Sequence, residues 1–169
     1  MDDDRELVAL RLAECDYYLD RHRAAQNALQ PYLRKASREA EARFFHLTAT
    51  RGLGDRDTYV ALARGLVADH PDSGWVEETL NNLASHYITL EDEEEADGVF
   101  RELARRFPHS RYADRAAWKV GWHAYKQDQF AEAAATFEAA AVVFPRADYR
   151  PSWLYWAARS RGRLDARPA

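Results

Sequence analysis

Cysteine is almost absent: Cys15 is the only one in the chain. One thiol closes no intrachain disulfide and builds no thiolate metal site. That scarcity fits the cytosol and equally fits the many exported helical proteins without disulfides. No apolar run approaches the roughly 18 residues of a membrane span, and Met1-Asp-Asp-Asp does not open a signal peptide. A basic excess is missing too. Lysine and arginine number 24 against 28 acids, a formal charge of −4, and the arginines are interleaved with acids, which argues against nucleic acid as a partner. There is no His-Glu-x-x-His pair and no glycine-rich phosphate loop. Gly52-Leu-Gly54 is a turn between helices. No motif calls for a metal or any other cofactor.

What the chain does have is a step of 37 residues. Ala96 falls on Ala133, Phe100 on Phe137, Phe107 on Phe144 and Pro108 on Pro145, with Pro71 one step earlier. Self-similarity at such a period marks stacked structural units that bury their apolar faces against one another. Each unit reads as two helices. Leu80, Leu83, Ala84, Tyr87 and Ile88 recur at three- and four-residue steps and share one face. The acidic run Glu91 to Glu95 suits the start of the next helix, where carboxylates meet the positive end of the dipole; it reads as a solvated turn and not as a glycosidase carboxylate pair. Ala96, Val99, Phe100, Leu103 and Phe107 follow, and Pro108 ends that helix. The small residues Ala84, Ala96, Gly121 and Ala133 stand where helices approach closely.

These positions resemble the tetratricopeptide pattern. Leu83, Ala84, Tyr87, Ala96, Phe100 and Pro108 occupy its Leu, Gly, Tyr, Ala, Phe and Pro slots. In the next unit Val120, Gly121, Ala133, Phe137, Ala140 and Pro145 do the same, with Ala124 departing at the Tyr slot. Three residues more than the family period of about 34 lengthen the connection after each proline. The expected fold is an all-α right-handed solenoid of helical hairpins, one domain over residues 1–169. It has an irregular N-terminal hairpin at 1–35, repeats at 36–74, 75–110 and 111–148, and a capping helix at 149–163.

In chain order, a first helix is expected over residues 5–20, with Leu7, Val8, Leu12, Tyr18 and Leu19 apolar. A second, over 22–34, is interrupted by Pro31. Irregularity is expected of this terminal unit, because a capping repeat has one face in water. Helices over 36–50 and 57–70 carry Phe44, Phe45, Leu47, Tyr59, Leu62, Leu66 and Val67. A last helix over 149–162 holds Trp153, Leu154, Tyr155 and Trp156 without a partner helix, which suggests a chain cut from something longer. His86 and His123 occupy equivalent positions on successive first helices. At the usual interaxial spacing of about 8–10 Å two imidazoles there do not readily share one zinc.

The segments Phe107-Pro-His-Ser-Arg-Tyr-Ala-Asp-Arg-Ala-Ala-Trp118, Gly121-Trp-His-Ala-Tyr125, Phe130-Ala-Glu-Ala-Ala-Ala-Thr-Phe137 and Ser152-Trp-Leu-Tyr-Trp-Ala-Ala-Arg159 carry a narrower resemblance, over Asp72 to Leu164. It is to the superhelical region of soluble lytic murein transglycosylases. The resemblance implies a periplasmic scaffold beside peptidoglycan, with the cytoplasm as the alternative compartment. That family's catalytic Glu-Ser and Gly-Leu-Met-Gln motifs are absent here, so what carries over is a non-enzymatic part.

In tetratricopeptide folds the first helix of each hairpin lines the concave surface. Asn81, Ser85 and Thr89 then face it from one unit, Arg115, Trp118, Trp122 and Lys126 from the next, and Tyr155 and Arg159 from the last helix. Trp118 and Trp122 lie one turn apart with cations above and below. Such a surface stacks sugar rings or seats a peptide whose carboxylate pairs with Arg or Lys; alternatively the two indoles pack between units. The leading expectation is a protein- or wall-binding scaffold of the cell envelope, and the alternative is a stand-alone adaptor for a partner's helix or tail.

Overall fold

The computed structural model describes residues 2–166. Among them it is all helix, without a strand, as the repeat predicts. The helices are α1 (Asp2–Tyr18), α2 (His22–Leu29), α3 (Glu39–Gly52), α4 (Arg56–Asp69), α5 (Gly74–Thr89), α6 (Glu93–Arg106), α7 (Ala113–Lys126), α8 (Phe130–Val143) and α9 (Arg150–Asp165). Pro31 ends α2 sooner than expected. Without its N–H the ladder cannot continue, and the chain passes through a 3₁₀ turn at Gln30–Tyr32.

Turns inside the hairpins share one design. Gly54, Glu91 and Asp128 stand 37 residues apart, each with a left-handed φ, of 82°, 60° and 57°, and Asp20 joins them at 59°. The N–H of the following residue reaches back five positions: Arg21 to Asp16 O at 2.8 Å, Asp55 to Thr50 O at 3.3 Å, Asp92 to Tyr87 O at 3.0 Å and Gln129 to Ala124 O at 2.9 Å. This is the Schellman closure, which satisfies carbonyls that a helix end leaves unpaired. The Asp55 and Asp92 carboxylates then open the next helix, accepting from the Thr58 and Glu95 N–H groups at 3.2 Å. Links between hairpins obey a different constraint. His70, Phe107 and Phe144 sit at ψ of 52°, 62° and 68°, outside the helical basin, because a proline follows each.

The chain forms two compact units, Met1–Thr79 and Leu80–Ala169, dividing inside α5. In the first, Leu10 and Ala13 of α1, Leu29 of α2, Phe44, Phe45 and Leu47 of α3, and Tyr59 and Leu66 of α4 form a buried core. Trp75 lays its ring 4.8 Å from that of Phe44. Polar ties fix the helices: Gln26 Nε2 donates to Thr50 Oγ1 at 2.7 Å, and Glu6 accepts the Ser37 and Arg38 N–H groups at 3.2 and 2.6 Å. The helix α1 docks through Leu10 and Ala13, so that Val8, Leu12, Tyr18 and Leu19 all point into solvent. The exposed side of α1 thus carries apolar residues.

In the second unit Leu83, Val99, Phe100, Leu103, Ala116, Phe137 and Trp153 are buried. Gly121 lets α7 and α8 touch: a Cβ there would lie 2.5 Å from Phe137 Cε1. The lone helix α9 packs on α8. Trp153 is fully buried, Trp156 partly, and Leu154 and Tyr155 are exposed. Arg161 forks onto Glu138 with contacts of 2.5 and 2.6 Å.

Candidate partner-binding surface

All nine residues singled out from the sequence lie in the second unit. Thr89 stands apart, exposed at the end of α5, its Oγ1 donating to the His86 carbonyl at 2.7 Å. The other eight fall into three groups and one lone cation. In the first group, Arg115 on α7 reaches across to α5. Its Nη1 donates to Asn81 Oδ1 and its Nη2 to Ser85 Oγ at 3.0 Å, while the guanidinium lies 5.4 Å from the centre of the Phe100 ring. Ser85 Oγ in turn donates to the Asn81 carbonyl at 2.8 Å. Asn81 is buried beneath this network. The guanidinium is therefore held by neutral groups, and its charge is not cancelled.

Aromatic rings make the second group. Trp118 and Trp122 stack at 5.9 Å with planes 8° apart. Tyr149 continues the stack beyond Trp118 at 5.9 Å, and Tyr125 beyond Trp122 at 5.8 Å. Trp156 of α9 meets Trp122 and Tyr125 edge-on, each at 4.8 Å. The two indoles thus pack α7 against the core that α8 and α9 complete, and both are only partly buried. Arg159 and Tyr155 form the third group on α9. Arg159 Nη1 donates to Tyr155 Oη at 3.1 Å and the guanidinium sits 5.7 Å from the Trp156 ring centre. Its pKa is raised, by the hydrogen bond to Tyr155 and then that to Tyr125.

Lys126, the remaining cation, pairs with Glu93 at the start of α6, and that hydrogen bond holds the Glu93 carboxyl below its usual range. The pair lines a groove of about 420 Å³. Ile88, Phe100 and Trp122 give the groove apolar surface; Glu91, Glu93 and Asp97 bring acids from the α5–α6 turn and α6, and Lys119 and His123 come from α7. Lys119 escapes the sequence argument although it lies one turn from Arg115 and from Trp122. It is partly buried, and no hydrogen bond or ion pair joins it to any described residue. Burial strips water from its ammonium, and Arg115 and Lys126 repel it, so its pKa is lowered. The signal that could have found it is its i+4 step from Arg115.

Among the described residues no group of three or more His, Cys, Asp or Glu side chains could hold a metal ion, and no helix is long and apolar enough to cross a membrane.

Helical hairpins with these turns define the tetratricopeptide-like class of fold, and solved structures agree. The crystal structure of a putative kinesin light chain of Podosopora anserina with nearly identical TPR-like repeats matches with a TM-score of 0.62 at 14% identity, over 99% of this chain and 90% of that one. A MamA RS-1 double mutant matches at 0.60 and 12% identity, covering 96% of both chains. BtubC (BKLC) from P. vanneervenii matches at 0.58 and 16%, over 94% of this chain and 80% of that one. No protein-family model and no curated protein matches.

Proposed function

We propose that this chain is a non-catalytic scaffold that binds a partner polypeptide along α5, α7 and α9 of its second unit, with Lys119 taking a carboxylate of that partner. The observation that carries this reading is the partly buried ammonium, held by no hydrogen bond or ion pair, beside the apolar surface of the groove. Glu93 attracts it from beyond bonding distance; removing water from a cation without a bonded partner costs stability, and an incoming carboxylate recovers that cost with a charge-assisted hydrogen bond. Trp122 and Phe100 supply apolar surface beside it, and Arg115 adds uncancelled positive charge. Screening an immobilised peptide library in C-terminal-acid and C-terminal-amide forms tests the reading. Peptides bearing a free or side-chain carboxylate should bind the wild type, and Lys119→Ala should weaken them about tenfold or more, the loss of one such bond. Binding indifferent to both changes would sink it.

The finer placement, beside murein in the bacterial periplasm as part of a lytic transglycosylase-like protein, rests on the sequence resemblance over Asp72 to Leu164. Co-sedimentation of the chain with insoluble sacculi tests it: wild type left in the supernatant counts against wall binding, whereas wall binding weakened by Trp122→Ala supports a sugar-stacking role. The alternative, a stand-alone adaptor in the envelope or cytoplasm, is favoured by how much of both indoles is already engaged by Tyr149, Tyr125 and Trp156.

A further inference from the structure

We propose that the outer face of α1 is a self-association surface, on which a second copy of this chain packs its own α1 antiparallel to give a weak two-fold dimer. This helix is apolar on two opposite sides. Leu10 and Ala13 are buried inward. About half a turn round, Val8, Leu12 and Cys15, continued by Leu19 in the turn just past the helix end, form a second line at steps of four, three and four residues, the spacing that holds a straight seam between paired helices. Val8, Leu12 and Leu19 are 60%, 63% and 61% exposed, and Cys15 is exposed. Such a patch on one helix calls for cover.

Self-complementarity selects the occupant. Steps of four, three and four read the same in both directions, so a two-fold axis between Leu12 and Cys15 sets Val8 opposite the partner's Leu19 and Leu12 opposite the partner's Cys15. An isologous contact requires that symmetry. Charge agrees: ahead of the line Asp2-Asp-Asp4 outnumber Arg5, and just past it Arg21, which also pairs with Asp16 at 3.5 Å, and Arg23 outnumber Asp20. Antiparallel packing brings acidic end to basic end and opposes the helix dipoles, where parallel packing sets acidic end against acidic end. Four side chains make a contact smaller than the about 800 Å² per partner of a stable interface. The dimer expected is therefore a weak one, seen toward the upper end of an about 2–200 µM range of concentration.

Sedimentation velocity of the full chain between about 2 and 200 µM, under reducing conditions, tests the proposal across that range. Wild type should pass from monomer to dimer, and Leu12→Glu should stay monomeric with unchanged far-UV circular dichroism, because Leu12 contributes nothing to the fold's interior. With copper phenanthroline as oxidant, Leu12→Cys should cross-link faster than wild type, as the new thiol faces the partner's Cys15 while the two Cys15 thiols are offset along the axis. A wild type that is monomeric throughout, a Leu12→Glu variant that still dimerises, association beyond two copies, or faster cross-linking of wild type each overturns it.

Discussion

At the scale of single residues, the turns inside the hairpins show the chain accepting local strain where the fold demands it. Glu91 and Asp128 hold the left-handed conformation that their counterpart Gly54 adopts freely, and an L-residue with a Cβ is disfavoured there by about 1–2 kcal/mol. Glu91→Gly should therefore stabilise the protein, by about 0.5–1 kcal/mol once glycine's extra freedom in the unfolded chain is subtracted, a rise in Tm of about 1–4 °C by calorimetry. An unchanged or lower Tm would show that the Glu91 side chain contributes more than its backbone costs. His46 offers a second test. Burial lowers its pKa below the ordinary 6.5, and its Nε2 lies 2.9 Å from Gln30 Nε2, a contact that suits a neutral ring accepting from the amide. A depressed folded pKa means that its contribution is full above the unfolded value and is lost as pH falls from 6.5 through the folded one. Tm should fall as pH drops below 6.5, and His46→Gln, which keeps an acceptor without the titration, should flatten that part of the profile.

At the scale of elements, the contact between α7 and α8 is set by one missing side chain. Gly121→Val should lower stability by about 2–4 kcal/mol, because its Cβ and both methyls have to displace the Phe137 ring from a close-packed core. Urea unfolding would register this as a fall in midpoint at constant slope. This contact can be read from the amino acids alone, since Gly121 and Phe137 sit in small and large slots of the repeat. So can the helices themselves, apart from the early end of α2 at Pro31. Depth and partnership cannot. Periodicity puts Asn81, Ser85 and Arg115 on one face, but it does not say that Asn81 lies buried beneath the guanidinium. Nor does it separate Lys126, which has found Glu93, from Lys119, which has found no counter-charge at bonding distance; that depends on which acid the neighbouring helix presents at the same height. For α1 the same pattern of apolar residues fits one buried face or two separate ones, and only the angle at which the helix docks decides between them.

At the scale of the whole molecule, acid sensitivity has a second and lower window. Glu93, held down by Lys126, prefers its ionised form in the folded protein. What it contributes is present above the unfolded carboxyl value of 4.5 and is lost as pH falls through the folded one. The His46 effect, which sets in as pH falls below 6.5, should therefore precede the carboxylate loss that sets in below 4.5. A different kind of consequence follows from the order in which the helices meet. In the second unit α6 packs on α7, α7 on α8 and α8 on α9, so many of its contacts join stretches that are also neighbours along the chain. Folding such a molecule requires little searching, because the loops to be closed are short. A chain emerging from a ribosome, or cooling after a heat shock, has each hairpin's partner already at hand. It should regain its structure in about milliseconds or less, sooner than its exposed apolar seams can find the wrong neighbour.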